Sequence, residues 1–270
     1  MQKNIAIWFI ILFSFEANAT IFPSTQGPVS LGFGSIAGFI SDPFSAYNHQ
    51  GSLAFAKQNS ISFGFQSQYF VDGLNHACVA ANYQLNKTQI LGIGYSFFGN
   101  SHYNEGLLKL TLSKKFTPHF GGGVSLDYLR IQLPKESFVV KNLLTFEAAI
   151  YTSFNSNFDF AFQIINPARI PLANYNDERL PFITNSSLFY NPNKMLTIAA
   201  EWNQIMNGKG YLKVGINYKV SKKIIIRAGV FNKPINPCLG ISYTTKKIQI
   251  HVAFALHPYL NSMSSGGITF

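Results

Sequence analysis

Leu196-Thr197-Ile198-Ala199-Ala200-Glu201-Trp202-Asn203 is followed, after the connection Gln204–Lys209 and Gly210-Tyr211, by Leu212-Lys213-Val214-Gly215-Ile216-Asn217-Tyr218. This pair of stretches decides the fold. In both, every second residue is apolar, and most of the residues between are polar, charged or small. Successive side chains on a strand point to opposite faces, so each stretch reads as a strand lying between two different environments.

The pattern repeats in both directions along the chain from Asn59 onward. Leu91, Ile93, Tyr95 and Phe97 alternate with Gly92, Gly94 and Ser96, and Leu108, Leu110 and Leu112 with Lys109, Thr111 and Ser113. Phe158, Phe160, Phe162 and Ile164 alternate with Asp159, Ala161 and Gln163. Ile248, Ile250, Val252, Phe254 and Leu256 alternate with Gln249, His251, Ala253 and Ala255. A β-sandwich alternates too, but three features favour a transmembrane barrel. The segments run about ten residues, the length of a tilted strand that crosses a bilayer, where soluble strands average about five or six. Aromatic residues such as Phe97, Phe98, Phe116, Tyr128, Tyr151, Tyr190, Trp202 and Tyr218 fall near segment ends, as an interfacial girdle requires. Short connections (Asn86-Lys87, Thr117-Pro118, Ser221-Lys222) alternate with longer ones (Gly99–Glu105, Leu133–Lys141, Asn166–Leu180), the asymmetry of periplasmic turns and outer loops. The count is fourteen antiparallel strands. Weak alternation around Phe182–Tyr190, broken by Asn185-Ser186-Ser187, leaves twelve as the alternative.

Composition supports the same reading. The chain is 47% hydrophobic and only 12% charged, with 26 Phe and 13 Tyr, against about 25% charged for an ordinary soluble domain. Lys3, the apolar run Ile5–Phe15 and Ala17-Asn18-Ala19 form a secretory signal, with cleavage expected near Ala19. No later run is long and apolar enough for a membrane helix. An exported, aromatic-rich, charge-poor chain of this kind needs an apolar medium for its surface, and outer-membrane lipid around a barrel supplies one. The net charge of +10 reads either as lysines at turns and loop edges or as attraction to an acidic partner or anionic lipid. No arginine cluster with interleaved aromatics points to nucleic acid. Cys78 and Cys238 make no disulfide framework.

The domain division is 1–19 signal peptide, 20–58 N-terminal plug or hatch, and 59–270 barrel. Residues 20–58 are rich in Gly, Ser and Pro and lack a strand period, yet carry Phe33, Phe39, Phe44 and Tyr47, which do not suit a solvated tail. A fourteen-stranded lumen is wider than wall side chains fill, so this segment is expected inside it.

Ahead of the first strand stands Asp42-Pro43-Phe44-Ser45-Ala46-Tyr47-Asn48-His49-Gln50-Gly51-Ser52-Leu53-Ala54. Asp42, Ala46, Asn48, Gln50, Leu53 and Ala54 match a motif found at this place in the long-chain fatty-acid transporter (FadL) superfamily, which includes the PorV/PorQ-like proteins associated with type IX secretion. Gly32-Phe33-Gly34-Ser35 resembles the start of that family's plug. Leu239-Gly240-Ile241-Ser242-Tyr243 and Ile250–Ala255 resemble the closing strands of the PorV/PorQ-like branch. The resemblance implies a fourteen-stranded barrel with an N-terminal hatch. A last strand ending in Phe270 reads as the signal recognised by the barrel assembly machinery.

Buried charge is costly unless paired, so inward-facing ionisable residues mark the candidate site. Parity turns Lys109, Asp127, Glu147, Glu201, Lys213, Arg227 and His251 inward. The turns suggest Lys109 opposite Asp127 opposite Glu147, and Glu201 opposite Lys213 with Arg227 nearby: two polarised patches that line a conduit, grip the plug or brace the wall. No catalytic set has diagnostic spacing, Ser101-His102 with Asp72 being a coincidence of composition, and no cofactor or metal pattern is present. Two functions follow: passive transport of small hydrophobic molecules, or a non-transporting partner of secretion-system proteins.

Overall fold

The computed structural model describes residues 25–40, 42–71, 73–132, 140–172, 179–232 and 234–270; the expected signal peptide and cleavage site lie outside them. Three short helices come first: α1 (Pro28–Gly32), α2 (Ser45–Asn48) and α3 (Gln50–Leu53). Fourteen strands follow: β1 (Ser60–Gln68), β2 (Asn75–Gln84), β3 (Gln89–Gly99), β4 (Asn104–Lys115), β5 (Phe120–Gln132), β6 (Val140–Ser153), β7 (Phe158–Ile165), β8 (Ile183–Tyr190), β9 (Leu196–Ile205), β10 (Gly210–Lys219), β11 (Ile224–Phe231), β12 (Asn236–Thr244), β13 (Gln249–Ala255) and β14 (Met263–Thr269).

Each strand pairs antiparallel with its neighbours in sequence, and β1 pairs β14, so the sheet closes on itself with no free edge. The strand around Phe182–Tyr190 is present in spite of its poor alternation, because Ser187 and Asn185 face inward where polar groups find partners. The Phe270 amide donates to the Ile61 carbonyl at 2.9 Å, extending the closing seam by one residue.

Alternation resolves into an outward apolar face and an inward polar one. Ile93, Leu110, Leu126, Phe146, Trp202, Val214, Ile241 and Val252 all stand exposed on the outside of the ring. Their neighbours Thr111, Asp127, Glu147, Glu201, Ser242 and His251 are buried on the inside. A soluble protein inverts this arrangement; a barrel in lipid requires it.

The described residues from Thr25 to Ala56 occupy the inside of the ring. Phe44, Ala46, Tyr47 and Leu53 pack with Cys78, Ala80, Ile90 and Leu107, while Val29, Phe33, Ile36 and Phe39 pack with Tyr151, Ala161, Phe189 and Ala199. Leu31 meets Cys238, Ala253, Ala255 and Met263. The hydrophobic core is therefore an interface between this segment and the wall. Burial of each large apolar side chain in it stabilises by about 2 kcal/mol. Cys78 and Cys238 are both buried and free, and each serves as a small packing residue.

Charge divides unevenly between the two rims. Lys87, Lys194, Lys222, Lys223, Lys246 and Lys247 lie in the short turns. Lys57 precedes β1, and Lys114, Lys115 and Lys219 end β4 and β10 at the same rim. Asp159 is the one acidic side chain described there. The opposite rim is mixed: its described residues include Arg130, Lys141, Arg169, Lys209 and Glu105, and its connections also carry Asp72, Lys135, Glu136, Asp177, Glu178 and Lys233 in the sequence.

Candidate functional site

The ionisable residues inside the ring form three stations, each touching residues 25–58. At the first, Glu147 on β6 accepts from Lys109 Nζ of β4 at 2.6 Å, from Gln50 Nε2 of α3 at 2.6 Å and from Gln163 Nε2 of β7 at 3.1 Å. Asp127 on β5 is fully buried, its nearer oxygen 4.0 Å from Lys109 Nζ, and it accepts from Ser125 Oγ at 2.6 Å. The Asp127 Oδ2 atom has no hydrogen-bond partner. Lys109 Nζ also lies 4.5 Å from the centre of the Tyr47 ring, where a cation is attracted to the π face.

At the second station, Glu201 on β9 accepts from Lys213 Nζ of β10 at 2.7 Å, from Ser187 Oγ of β8 at 2.7 Å and from the Ala37 amide at 2.9 Å. Lys213 also donates to the Ser35 carbonyl at 2.8 Å. One ion pair thus grips the backbone of residues 35–37 from both polar ends.

The third station is a chain of hydrogen bonds around the wall. Arg227 Nη1 donates to Ser242 Oγ at 2.6 Å; Ser242 Oγ lies 2.7 Å from His251 Nδ1, and His251 Nε2 lies 3.3 Å from Thr269 Oγ1. Thr269 Oγ1 is 2.9 Å from Ser62 Oγ, which donates to the Pro43 carbonyl at 3.3 Å. His251 is a member of this belt.

Two expectations about register are corrected. Asp127 stands opposite Thr145, and Glu147 opposite Ser125, so Asp127 and Glu147 are diagonal neighbours. Lys213 stands opposite Phe231, whereas Arg227 stands opposite Asn217. Arg227 is thereby displaced by about 13 Å along the strand from Lys213, at about 3.3 Å per residue. Both slips are even numbers of residues. Parity decides which face a side chain takes, but its height depends on the turn and on packing. Arg227 therefore belongs to the belt and not to the Glu201–Lys213 pair.

The Asp42–Ala54 motif acquires physical roles. Asp42 accepts from the Phe44 amide at 3.0 Å and from Asn48 Nδ2 at 2.6 Å. Asn48 in turn takes the Gln26 amide at 2.8 Å and donates to the Gln26 carbonyl at 2.9 Å, tying both ends of the segment together. Burial pushes the Asp42 carboxyl up to about 6, against the pull of the Phe44 and Asn48 hydrogen bonds and of the Arg227 charge. Burial likewise drives His49 down to about 4, and its Nδ1 accepts from the Ser52 amide at 3.0 Å. The Ala46 carbonyl accepts from Thr111, and the Gln50 carbonyl from Ser113. Ala54 lies against Gly121, and the Gln50 carbonyl against Gly123: the glycine run in β5 permits this close approach, since a side chain there would collide with the segment.

Gln163 was not singled out by sequence, yet it bonds the Asn48 carbonyl, Gln50 and Glu147 at once. Its only signal was an amide at an inward position. The same holds for Asn166, whose side chain joins Thr145, Leu180 and Pro181 at the root of the β7–β8 connection.

On the long-connection side of the segment lies a cavity of about 350 Å³. Its floor is formed by Ser35, Ala37, Tyr47, Asn48, Lys109 and Lys213, and its wall mixes Ile165, Ile183, Ile205, Phe231 and Met263 with Gln66, Asn185 and Asn203. The histidines near this rim play local roles: His257 Nδ1 accepts from the Leu260 amide at 2.9 Å, and His76 of β2 bonds Gln68. Ser101 Oγ lies 3.3 Å from His102 Nδ1 in an exposed turn; Asp72 and part of the Arg169–Arg179 connection fall outside the described residues.

No protein-family model matches this sequence, and no curated protein does. Solved structures do. The toluene transporter TodX of Pseudomonas putida superposes with a TM-score of 0.70 at 11% identity, covering 93% of this chain and 98% of that one. The Ralstonia pickettii toluene transporter TbuX gives 0.66 at 12% identity over 91% and 97% of the two chains. A Pseudomonas aeruginosa FadL homologue gives 0.65 at 12% identity over 92% and 97%. At such identities the likeness is one of fold: this chain is a closed fourteen-stranded antiparallel barrel similar to those of the FadL-like transporters.

Proposed function

We propose that this protein is an outer-membrane channel for small hydrophobic molecules, closed by residues 25–58 acting as a plug. The observation that carries the proposal is the cavity of about 350 Å³ above the segment, where Ile165, Ile183, Ile205, Phe231 and Met263 stand among amides and the two lysines Lys109 and Lys213, inside a barrel whose outer surface is apolar. The apolar members of this lining offer contact to a hydrophobic ligand, and the amides and lysines would orient a polar group on it. The similarity in fold to proteins named as toluene transporters favours the same substrate class. In this reading Asp42, Ala46, Asn48, Gln50, Leu53 and Ala54 shape the plug. The Glu147 and Glu201 stations hold it, and Phe270 serves assembly. The ligand has no role for a catalytic residue or cofactor.

The test is uptake of an apolar dye by liposomes together with single-channel conductance, comparing the intact protein with one lacking residues 20–58. Uptake by the intact form, with a large steady conductance only after deletion, supports a plugged transporter. Neither conductance nor uptake from either form sinks it.

One observation favours a second reading, a PorV/PorQ-like component of a secretion or surface-attachment system. Pairing between β2, β3 and β4 is continuous, without a bulge beside the segment, and the segment is bound at three stations. A firmly closed barrel of this kind suits a docking platform. Absence of uptake combined with specific capture of a secretion-system protein would select it.

A further inference from the structure

The ten lysines of the short-turn rim face one acidic side chain, Asp159, which is itself bonded by Asn191 Nδ2 at 2.7 Å. Among the described residues no carboxylate lies within ion-pair distance of any of these lysines. Nine of the ten are exposed, and Lys115 is half-buried. The excess is largest at this rim. It cannot be explained by pairing within the fold.

Height along the barrel identifies the occupant. At this rim stands a level of outward aromatic side chains: Phe116 stacks on Phe120 at 5.5 Å, Phe158 on Tyr190 at 4.9 Å, and Phe63 meets Phe270 edge-on at 6.5 Å. Lys114 Nζ lies 5.8 Å from the Phe116 ring centre, so ammonium group and ring share this level, and the turn lysines Lys194, Lys222, Lys223, Lys246 and Lys247 stand beyond it. Aromatic rings mark the boundary between hydrocarbon and headgroups, and lysine stems extend past it to keep their charge among the phosphates. We propose that this lysine collar binds the anionic phospholipid headgroups of the membrane leaflet on the short-turn side. This rests on the membrane part of the functional reading and not on transport. The Lys222-Lys223 and Lys246-Lys247 turns, adjacent across β11 and β12, form its densest arc.

The test uses the intact protein in phosphatidylcholine liposomes with trace spin-labelled phosphatidylglycerol or phosphatidylcholine, reading the motionally restricted boundary fraction. Phosphatidylglycerol should be preferred by about twofold, a preference that vanishes in 1 M salt because the attraction is screened within about 3 Å. The K222Q/K223Q/K246Q/K247Q protein should lose most of the preference, and K114Q/K115Q part of it. K141Q/K209Q, which removes charge from the opposite rim, should keep it. Folded, inserted protein without any preference, or with one that the collar variants leave intact, overturns the proposal while the membrane reading stands. Saturable binding of soluble polyglutamate in place of lipid selectivity also overturns it, in favour of an acidic protein partner. Failure to insert in either lipid removes both readings together.

Discussion

The two lysine–glutamate stations inside the barrel look alike in the sequence and differ in the structure. At Glu201 the charges balance one to one, and each partner also bonds the backbone of residues 35–37, with Ser187 of the wall completing the Glu201 carboxylate. At Glu147 two carboxylates share Lys109, and the hold on the segment runs through the Gln50 side chain. A buried pair whose partners are all satisfied is sensitive to the loss of either member, whereas a surplus charge nearby acts as a spare. The difference teaches that the residues 35–37 end is the firm attachment and the α3 end the yielding one.

The largest expected effect comes from breaking the balanced pair. Glu201→Gln leaves Lys213 without its counter-ion and should weaken seating of residues 25–58 by about 3 kcal/mol. Hydrogen exchange of the segment's amides in the folded barrel would read this as roughly a hundredfold faster opening. Unchanged exchange would remove Glu201 as an anchor.

Glycine substitutions sharpen the contrast at the next level. Gly34 has φ near +79°, and an added Cβ would strike the Val214 carbonyl oxygen, so Gly34→Ala combines backbone strain with a clash. Gly123→Ala meets the Gln50 carbonyl at 2.9 Å and Ser113 Oγ at 2.7 Å without a positive φ. The first should cost about 3 kcal/mol and the second about 2. Thermal melting of the segment's tertiary signal would rank them, and the reverse order would refute the assignment of the firmer end.

Glu147→Gln should cost only about 1 kcal/mol, because Asp127 stands ready to neutralise Lys109 and the amide oxygen still accepts from Gln50. The smallest effect has a different sign. Asp127→Asn removes a buried carboxylate whose Oδ2 lacks a partner, so seating should hold or tighten slightly. In the double variant, loss beyond the sum of the singles is expected, since Lys109 then has no counter-ion. A strictly additive cycle would show that the two carboxylates do not share it.

Much of the barrel was legible in short stretches. The alternation in Leu196–Asn203 and Leu212–Tyr218 carries strand state, face and the apolar exterior in one pattern, because a period of two survives without any knowledge of neighbours. The candidate site was less legible. The inward face of Arg227 could be read by parity, but its place in a belt with Ser242 and His251 depends on a four-residue shift that parity does not detect. Gln163 is one amide among several in the sequence; its role at the first station exists only because β7 carries it beneath α3.

The sequence alone determined a barrel wall with an apolar exterior: long alternating strands with aromatics at their ends. Those features follow from local chemistry, since each strand presents an apolar face outward and a polar one inward. Tertiary structure decided the heights at which buried charges meet, which lysine is balanced and which is shared, and how residues 25–58 meet the wall. Such outcomes depend on register between segments distant in sequence and on the fit of a non-periodic segment into a closed ring, and no local pattern encodes either.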